Sequence, residues 1–197
     1  LALYLFENSF KITLSSVKKK KFKDFQSIVL KPNFSKKKIN SIFKNFDVIL
    51  HLAGLDKDTS HINPSFAINY NVLFTDKLAK CAIHSKIKKF IFFSTAQIYS
   101  NKLEGKFLED SETTNSTPYA QSNLISEFLI NYNSNFTSNN NTIFLNLRLS
   151  NVISCPHTYK NFNWNLVVND FCKQAIYTGE IKVCLLYTSP SPRDDEL

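Results

Sequence analysis

Three short apolar runs restrict the fold most: "DVILHLAG" (47–54), "KKFIFFST" (88–95) and "IFLNLRLS" (143–150), each separated from the next by a segment of helical pattern. Runs this short that are rich in branched and aromatic residues suit strands buried in a parallel sheet. Between them, 64–85 reads as a long helix with Val72, Leu73, Leu78, Ala79 and Ala82 on its apolar side, and a further helix is expected near 118–131. Upstream, "KITLSSV" (11–17) and "SIVL" (27–30) read as strands, and "KKINSIFKNF" (37–46) carries Ile39, Ile42, Phe43 and Phe46 at helical spacing. Leu1–Phe6 has helical character, with Asn8 as a left-handed cap. "NYNSNFTSNNNT" (131–142) reads as a polar low-complexity loop. Strands alternating with helices imply right-handed crossovers and an α/β fold, a doubly wound parallel sheet covered on both faces. Ligands of such sheets bind beyond the carboxyl ends of the strands, which directs attention to the residues just after Leu52, Ser94 and Leu149.

Composition narrows the class. A chain of 197 residues that is 43% hydrophobic can bury one sizeable core. No stretch approaches a membrane-spanning apolar length, and no basic segment followed by an apolar run marks a signal peptide. Cys81, Cys155, Cys172 and Cys184 form no CxxC pair and the four histidines are dispersed, so neither a disulfide framework nor a metal site is expected. The formal charge of +8 arises partly from lysines at 18–21 and 36–38. With few arginines and no nucleic-acid-binding motif, a solvated lysine face is preferred over a nucleic-acid surface.

The strand ends carry the chemistry. "HLAG", "STAQIY" and "RLSNV" follow the three runs, and "STPYAQSN" (116–123) sets Tyr119 at the start of a helix. A hydroxyl on a strand end and a tyrosine on a helix can converge on one substrate hydroxyl. The tyrosine then takes the proton while hydride leaves the same carbon for a nicotinamide.

These segments resemble, in order, those of the extended short-chain dehydrogenase/reductases, and among them the NAD-dependent epimerase/dehydratase family acting on nucleotide sugars. "DVILHLAG" is similar to V-x-H-x-A, and "NVLFTDKL" (71–78) to N-V-x-G-T-x-x-L with Phe74 replacing the glycine. "FIFFSTAQIYS" is similar to the strand ending S-S/T-x-x-x-Y-G, "STPYAQSN" to P-Y-x-x-S-K and "LRLSNVISCP" to L-R-x-x-N-V-x-G-P. The resemblance implies a Rossmann-like fold over residues 1–183, with NAD or NADP as cofactor and a nucleotide-sugar substrate. It implies Tyr119 as acid/base, Thr95 as its partner and Asn123 at the position of the motif lysine. His51, Leu52, Ala53 and Gly54 would line the cofactor largely through backbone, with Asn71 and Ser94 supporting that pocket and Asn151 contacting the substrate phosphates. A cytoplasmic protein is expected, with a homodimer open and with neither nucleic acid nor membrane as partner.

The departures sharpen the expectation. The family's dehydratases place an Asp-Glu pair after the threonine; here Ala96 and Gln97 stand there, which favours epimerase or reductase chemistry over dehydration. No GxxGxxG occurs, so the fragment is expected to lack the first strand and its glycine loop. The motif lysine is Asn123, which supplies no charge to lower the tyrosine pKa. "SSVKKKK" (15–21) has no acidic residue after the second strand of the pattern and tilts the cofactor toward NADP. A catalytically silent relative that binds nucleotide or nucleotide sugar therefore stays open beside the enzyme. The substrate-binding part is expected to begin at 161–183. "CLLYTSPSPRD" (184–194) is what a transposase sequencing adapter encodes when read through in frame, so 184–197 is expected to be a non-native tail and its ER-like ending accidental.

Overall fold

The computed structural model describes residues 1–22, 24–100, 105–137, 141–150, 152 and 167–182. The chain divides into two units, Leu1–Leu149 and Ser150–Leu197. Asn151 and the tail 184–197 lie outside the described residues.

The first unit is an α/β structure with parallel strands throughout. Helix α1 (Ala2–Glu7) precedes β1 (Thr13–Ser16) and β2 (Gln26–Val29), which pair in parallel with Thr13 opposite Gln26. Helix α2 (Lys36–Phe43) starts where the Ser35 hydroxyl accepts the Lys38 N–H at 3.3 Å, an N-cap that satisfies one of the helix's unpaired donors. Strands β3 (Val48–His51), β4 (Lys89–Thr95) and β5 (Ile143–Leu149) form the second parallel sheet in that spatial order. Four of the five strands fall within the segments expected from the sequence, and β2 begins at Gln26, one residue ahead of the expected 27–30.

The helices depart from expectation in informative places. Residues 57–84 form α3 (Lys57–Ile62), α4 (Pro64–Ala67), a π-helical turn (Ile68–Leu73) and α5 (Phe74–His84). Val72, Leu78, Ala79 and Ala82 are buried as expected, but Leu73 is exposed, because the wider turn shifts the apolar face. Helix α6 (Pro118–Phe136) runs into the segment expected to be a loop. The low helix propensity of asparagine yields there to tertiary bonds: Asn133 Nδ2 donates to Asp76 Oδ1 at 2.8 Å, and Asn131 Oδ1 accepts from Asn146 Nδ2 at 3.1 Å. Asn8 caps α1 by bonding back to the Tyr4 carbonyl, but its φ is −93°; the left-handed residue is Ser9, at φ 67°.

Register decides what the sheet buries. Phe90 lies between Ile49 and Phe144, and Phe92 between His51 and Asn146. This face meets Phe74, Leu78, Ala79 and Ala82 of α5 and Ile130 of α6, forming the core with Ile39 and Phe43 of α2. On the opposite face, Val48, Ile143, Leu145, Leu147 and Leu149 stay exposed, so the two-sided covering expected of the sheet is not seen among the described residues of this unit.

The second unit shows one helix among its described residues, α7 (Val167–Thr178), within the stretch expected to open the substrate-binding part. No described helix is long and apolar enough to cross a membrane.

Candidate functional site

The loop leaving β3 forms one wall of a small cavity of about 180 Å³, lined by Leu52–Asp56, Asn71, Thr75, Phe92, Phe93, Tyr119 and Asn123. The strand ends and the first turn of α6 thus converge at the carboxyl edge of the sheet.

His51 does not turn its side chain to this cavity's opening. Strand alternation points it into the core, where its ring stacks on Phe92 at 5.6 Å and Nε2 bonds Thr75 Oγ1 at 2.7 Å. Burial holds its pKa at about 4, so the imidazole is neutral at pH 7. Leu52, Ala53 and Gly54 follow as exposed loop residues. A Cβ on Gly54 would meet only Asn71 Oδ1 at 3.5 Å, an ordinary contact, so close packing does not demand glycine here.

Asn71 ties that loop to α6. Its Oδ1 accepts the Leu55 N–H at 2.8 Å, and its Nδ2 donates to Ser122 Oγ at 2.9 Å. Its carbonyl, on the π-helical turn, accepts the Ser126 hydroxyl at 3.0 Å. Buried polar groups of this kind fix geometry because leaving any one unpaired would be costly.

Tyr119 lies near Thr95 at the carboxyl edge of the sheet. Pro118 opens α6 at its first turn, Thr117 caps it by accepting the Ala120 N–H, and Tyr119 follows with its hydroxyl within bonding reach of the buried Thr95. Burial raises the Tyr119 pKa, the Thr95 bond opposes this, and the negative charge of Asp56 adds to the rise. Asp56 caps α3 through the Thr59 N–H at 2.8 Å, which holds its carboxyl below the usual range. Asn123 reaches back along its own helix instead, donating from Nδ2 to the Tyr119 carbonyl at 2.9 Å. No lysine, arginine or histidine side chain is among the described residues lining the cavity.

Ser94 faces the other side of β4 and donates its hydroxyl to Glu127. Glu127 in turn receives Arg148 Nη2 at 2.8 Å and Nε at 3.1 Å. Ser94 is among the residues expected from the sequence, whereas Glu127, Arg148 and Asp56 are not. A carboxylate on the buried face of α6, one strand arginine and a helix-capping aspartate were the available signals.

Against known proteins, the NAD dependent epimerase/dehydratase family matches residues 14–190, running into the segment expected to be adapter-derived. Human and bovine dTDP-D-glucose 4,6-dehydratases are each 29% identical over 92 residues, which is 44% of this chain and 25% of theirs. The structure of MoeE5 in complex with UDP-glucose and NAD superposes with a TM-score of 0.70 at 16% identity, covering 90% of this chain and 56% of that one. The UDP-glucose 4-epimerase of Thermus thermophilus in complex with NAD gives a TM-score of 0.63 at 18% identity, over 74% of this chain and 49% of that one. The chain thus spans about a quarter of the curated relatives and about half of these solved structures. A family match over most of the chain, on a parallel α/β scaffold, places it: the chain belongs to the NAD dependent epimerase/dehydratase family.

Proposed function

We propose that the protein is an NAD(P)-dependent nucleotide-sugar epimerase or reductase in which Tyr119 is the acid/base. The observation that carries this reading is the place of Tyr119 in the lining of the cavity formed by the β3 loop, with the buried Thr95 beside its hydroxyl. A bound nicotinamide would supply hydride acceptance from, or donation to, a sugar carbon. The open backbone of Leu52, Ala53 and Gly54 and the bracing of that loop by Asn71 fit a flat cofactor ring laid against the strand ends. Tyr119 would take the proton of the sugar hydroxyl, and Thr95 would hold that hydroxyl in line. Asn151 would contact the substrate phosphates.

Support for nucleotide sugars comes from the relatives, whose names carry UDP-glucose and dTDP-D-glucose. Ala96 and Gln97 hold the positions of the dehydratase acids and offer no carboxyl, which favours epimerase or reductase chemistry. The lysines at 18–21 follow β1 and suit a 2′-phosphate, which favours NADP.

One observation favours a second reading, a silent nucleotide- or nucleotide-sugar-binding relative. Asn123 is bonded back to its own helix and no cation is among the described residues of the cavity lining, so nothing positive among those residues lowers the Tyr119 pKa. A phenol at pKa 10 is only about 0.1% ionised at pH 7, and burial here raises it further. The test is incubation of the longest gene product carrying this chain with UDP-glucose or dTDP-D-glucose and NAD or NADP. A changed sugar, or cofactor reduction, supports the enzyme. Saturable nucleotide-sugar binding with no product in either cofactor supports the silent relative.

A further inference from the structure

Away from the cavity, the chain builds a buried charged cluster that the proposed chemistry does not use. Glu127 is 3% exposed, and its carboxylate accepts Ser94 Oγ from β4 and the Arg148 guanidinium from β5. Arg148 Nη1 donates onward to the Tyr99 hydroxyl at 2.7 Å and to the Glu109 carbonyl at 2.7 Å. The Tyr99 ring stacks on Phe107 at 5.1 Å and lies under the guanidinium at 5.1 Å.

Two routes lead from this cluster to the Tyr119–Thr95 pair. On the first, Glu127 holds Ser94, the residue directly before Thr95 on β4. On the second, the Tyr99 carbonyl accepts both the Thr114 N–H at 2.9 Å and the Thr114 hydroxyl at 2.7 Å. Asn115 then donates to the Gln97 carbonyl at 2.6 Å and accepts the Thr117 N–H at 2.9 Å, two residues before Tyr119. One route fixes the strand end that carries the threonine. The other fixes the segment that delivers the tyrosine.

We propose that Glu127, Arg148 and Tyr99 form a positioning device that sets the separation of Thr95 and Tyr119, so that their approach depends on an ion cluster on the far side of β4. Arg148 suits the task because its planar fork holds the carboxylate with two N–H groups while two more bonds reach a phenol and a carbonyl, four bonds where a lysine has three donors. The proposal rests on the reading of Tyr119 and Thr95 as a working pair.

The test follows the titration of Tyr119 by NMR, with ring-labelled tyrosine in the full chain, and needs no substrate. Thr95→Ala should move that titration upward, because it removes the bond that opposes the effect of burial. Glu127→Gln and Tyr99→Phe should move it in the same direction by less, and neither should move it further once Thr95 is alanine, the non-additivity of residues acting in one network. Tyr99→Phe keeps the stack on Phe107 and loses only the hydroxyl, so it decides the matter if Glu127→Gln fails to fold. A purely structural cluster would lower the melting temperature while leaving the Tyr119 titration unmoved, and that result overturns the proposal while sparing the pair. If Thr95→Ala itself leaves the titration unmoved, the pair does not exist and both the proposal and the functional reading fall.

Discussion

Tyr119 and Glu127 sit on the same helix and treat charge in opposite ways. Glu127 is buried as a carboxylate with a guanidinium seated on it and a serine hydroxyl completing its shell. Tyr119 is the group proposed to gain and lose a proton, yet the nearby charge acting on it is Asp56, whose sign opposes its ionisation. The part-buried cation of this helix environment therefore stabilises the scaffold rather than the reacting group. The contrast teaches that the cation is committed to the scaffold, while burial and Asp56 hold the Tyr119 phenol above its ordinary range.

Removing the scaffold's cation should give the largest effect. Arg148→Ala leaves the Glu127 carboxylate buried without its partner, and the expected loss is roughly 3 kcal/mol, the low end for a broken buried pair because the Arg148 side chain is 24% exposed. Urea denaturation measures it. By contrast, Lys88 and Asp47, a pair at 2.8 Å with both side chains largely in water, should show no measurable change when Lys88 becomes alanine. Equal losses at the two pairs would break the contrast between buried and exposed charge.

His51 should give the next effect, and its sign follows from linkage. Its folded pKa of about 4 lies below the ordinary value of 6.5, so the unfolded chain binds the proton first as pH falls. The contribution is intact above pH 6.5 and is lost toward pH 4, with a slope approaching about 1.4 kcal/mol per pH unit. His51→Gln removes that group, so the difference in stability between wild type and variant should shrink as pH falls through this window. A difference independent of pH would show that the imidazole is not held neutral by burial.

Asn123→Lys sharpens the comparison from the other side, by bringing a cation to the Tyr119 turn. The Tyr119 pKa should fall, and in an active gene product neutral-pH turnover should rise by up to about tenfold for each unit of that fall. The pH–rate profile measures it. Turnover created where the unaltered protein has none would support the silent-relative reading, and loss of an existing activity would assign Asn123 a role of its own.

How much of this was legible in the sequence varies with the kind of interaction. The five strands could be read because apolar runs bounded by polar residues report burial directly. Tyr119 and Thr95 could be read because both stand at element ends, where a parallel sheet collects its ligands. The extension of α6 through Asn131 and Asn133 could not, since their partners, Asn146 and Asp76, are distant in the chain and outweigh local propensity. The exposure of Leu73 was hidden for a related reason: a π-helical turn breaks the spacing on which a 3.6-residue reading relies. The side-chain directions of Asn123 and His51, and the Glu127–Arg148 pair, depend on packing and cross-element geometry that no local motif displays.

The most direct test of the central claim is the rate of hydride transfer between a nucleotide sugar and NAD(P) in the longest gene product carrying this chain, compared with its Tyr119→Phe variant. The phenylalanine keeps the ring and loses the proton-transfer group, so the account predicts a fall of about 10²–10⁴-fold with nucleotide-sugar binding retained. Transfer at the unaltered rate in Tyr119→Phe would contradict it and assign the acid/base to another residue.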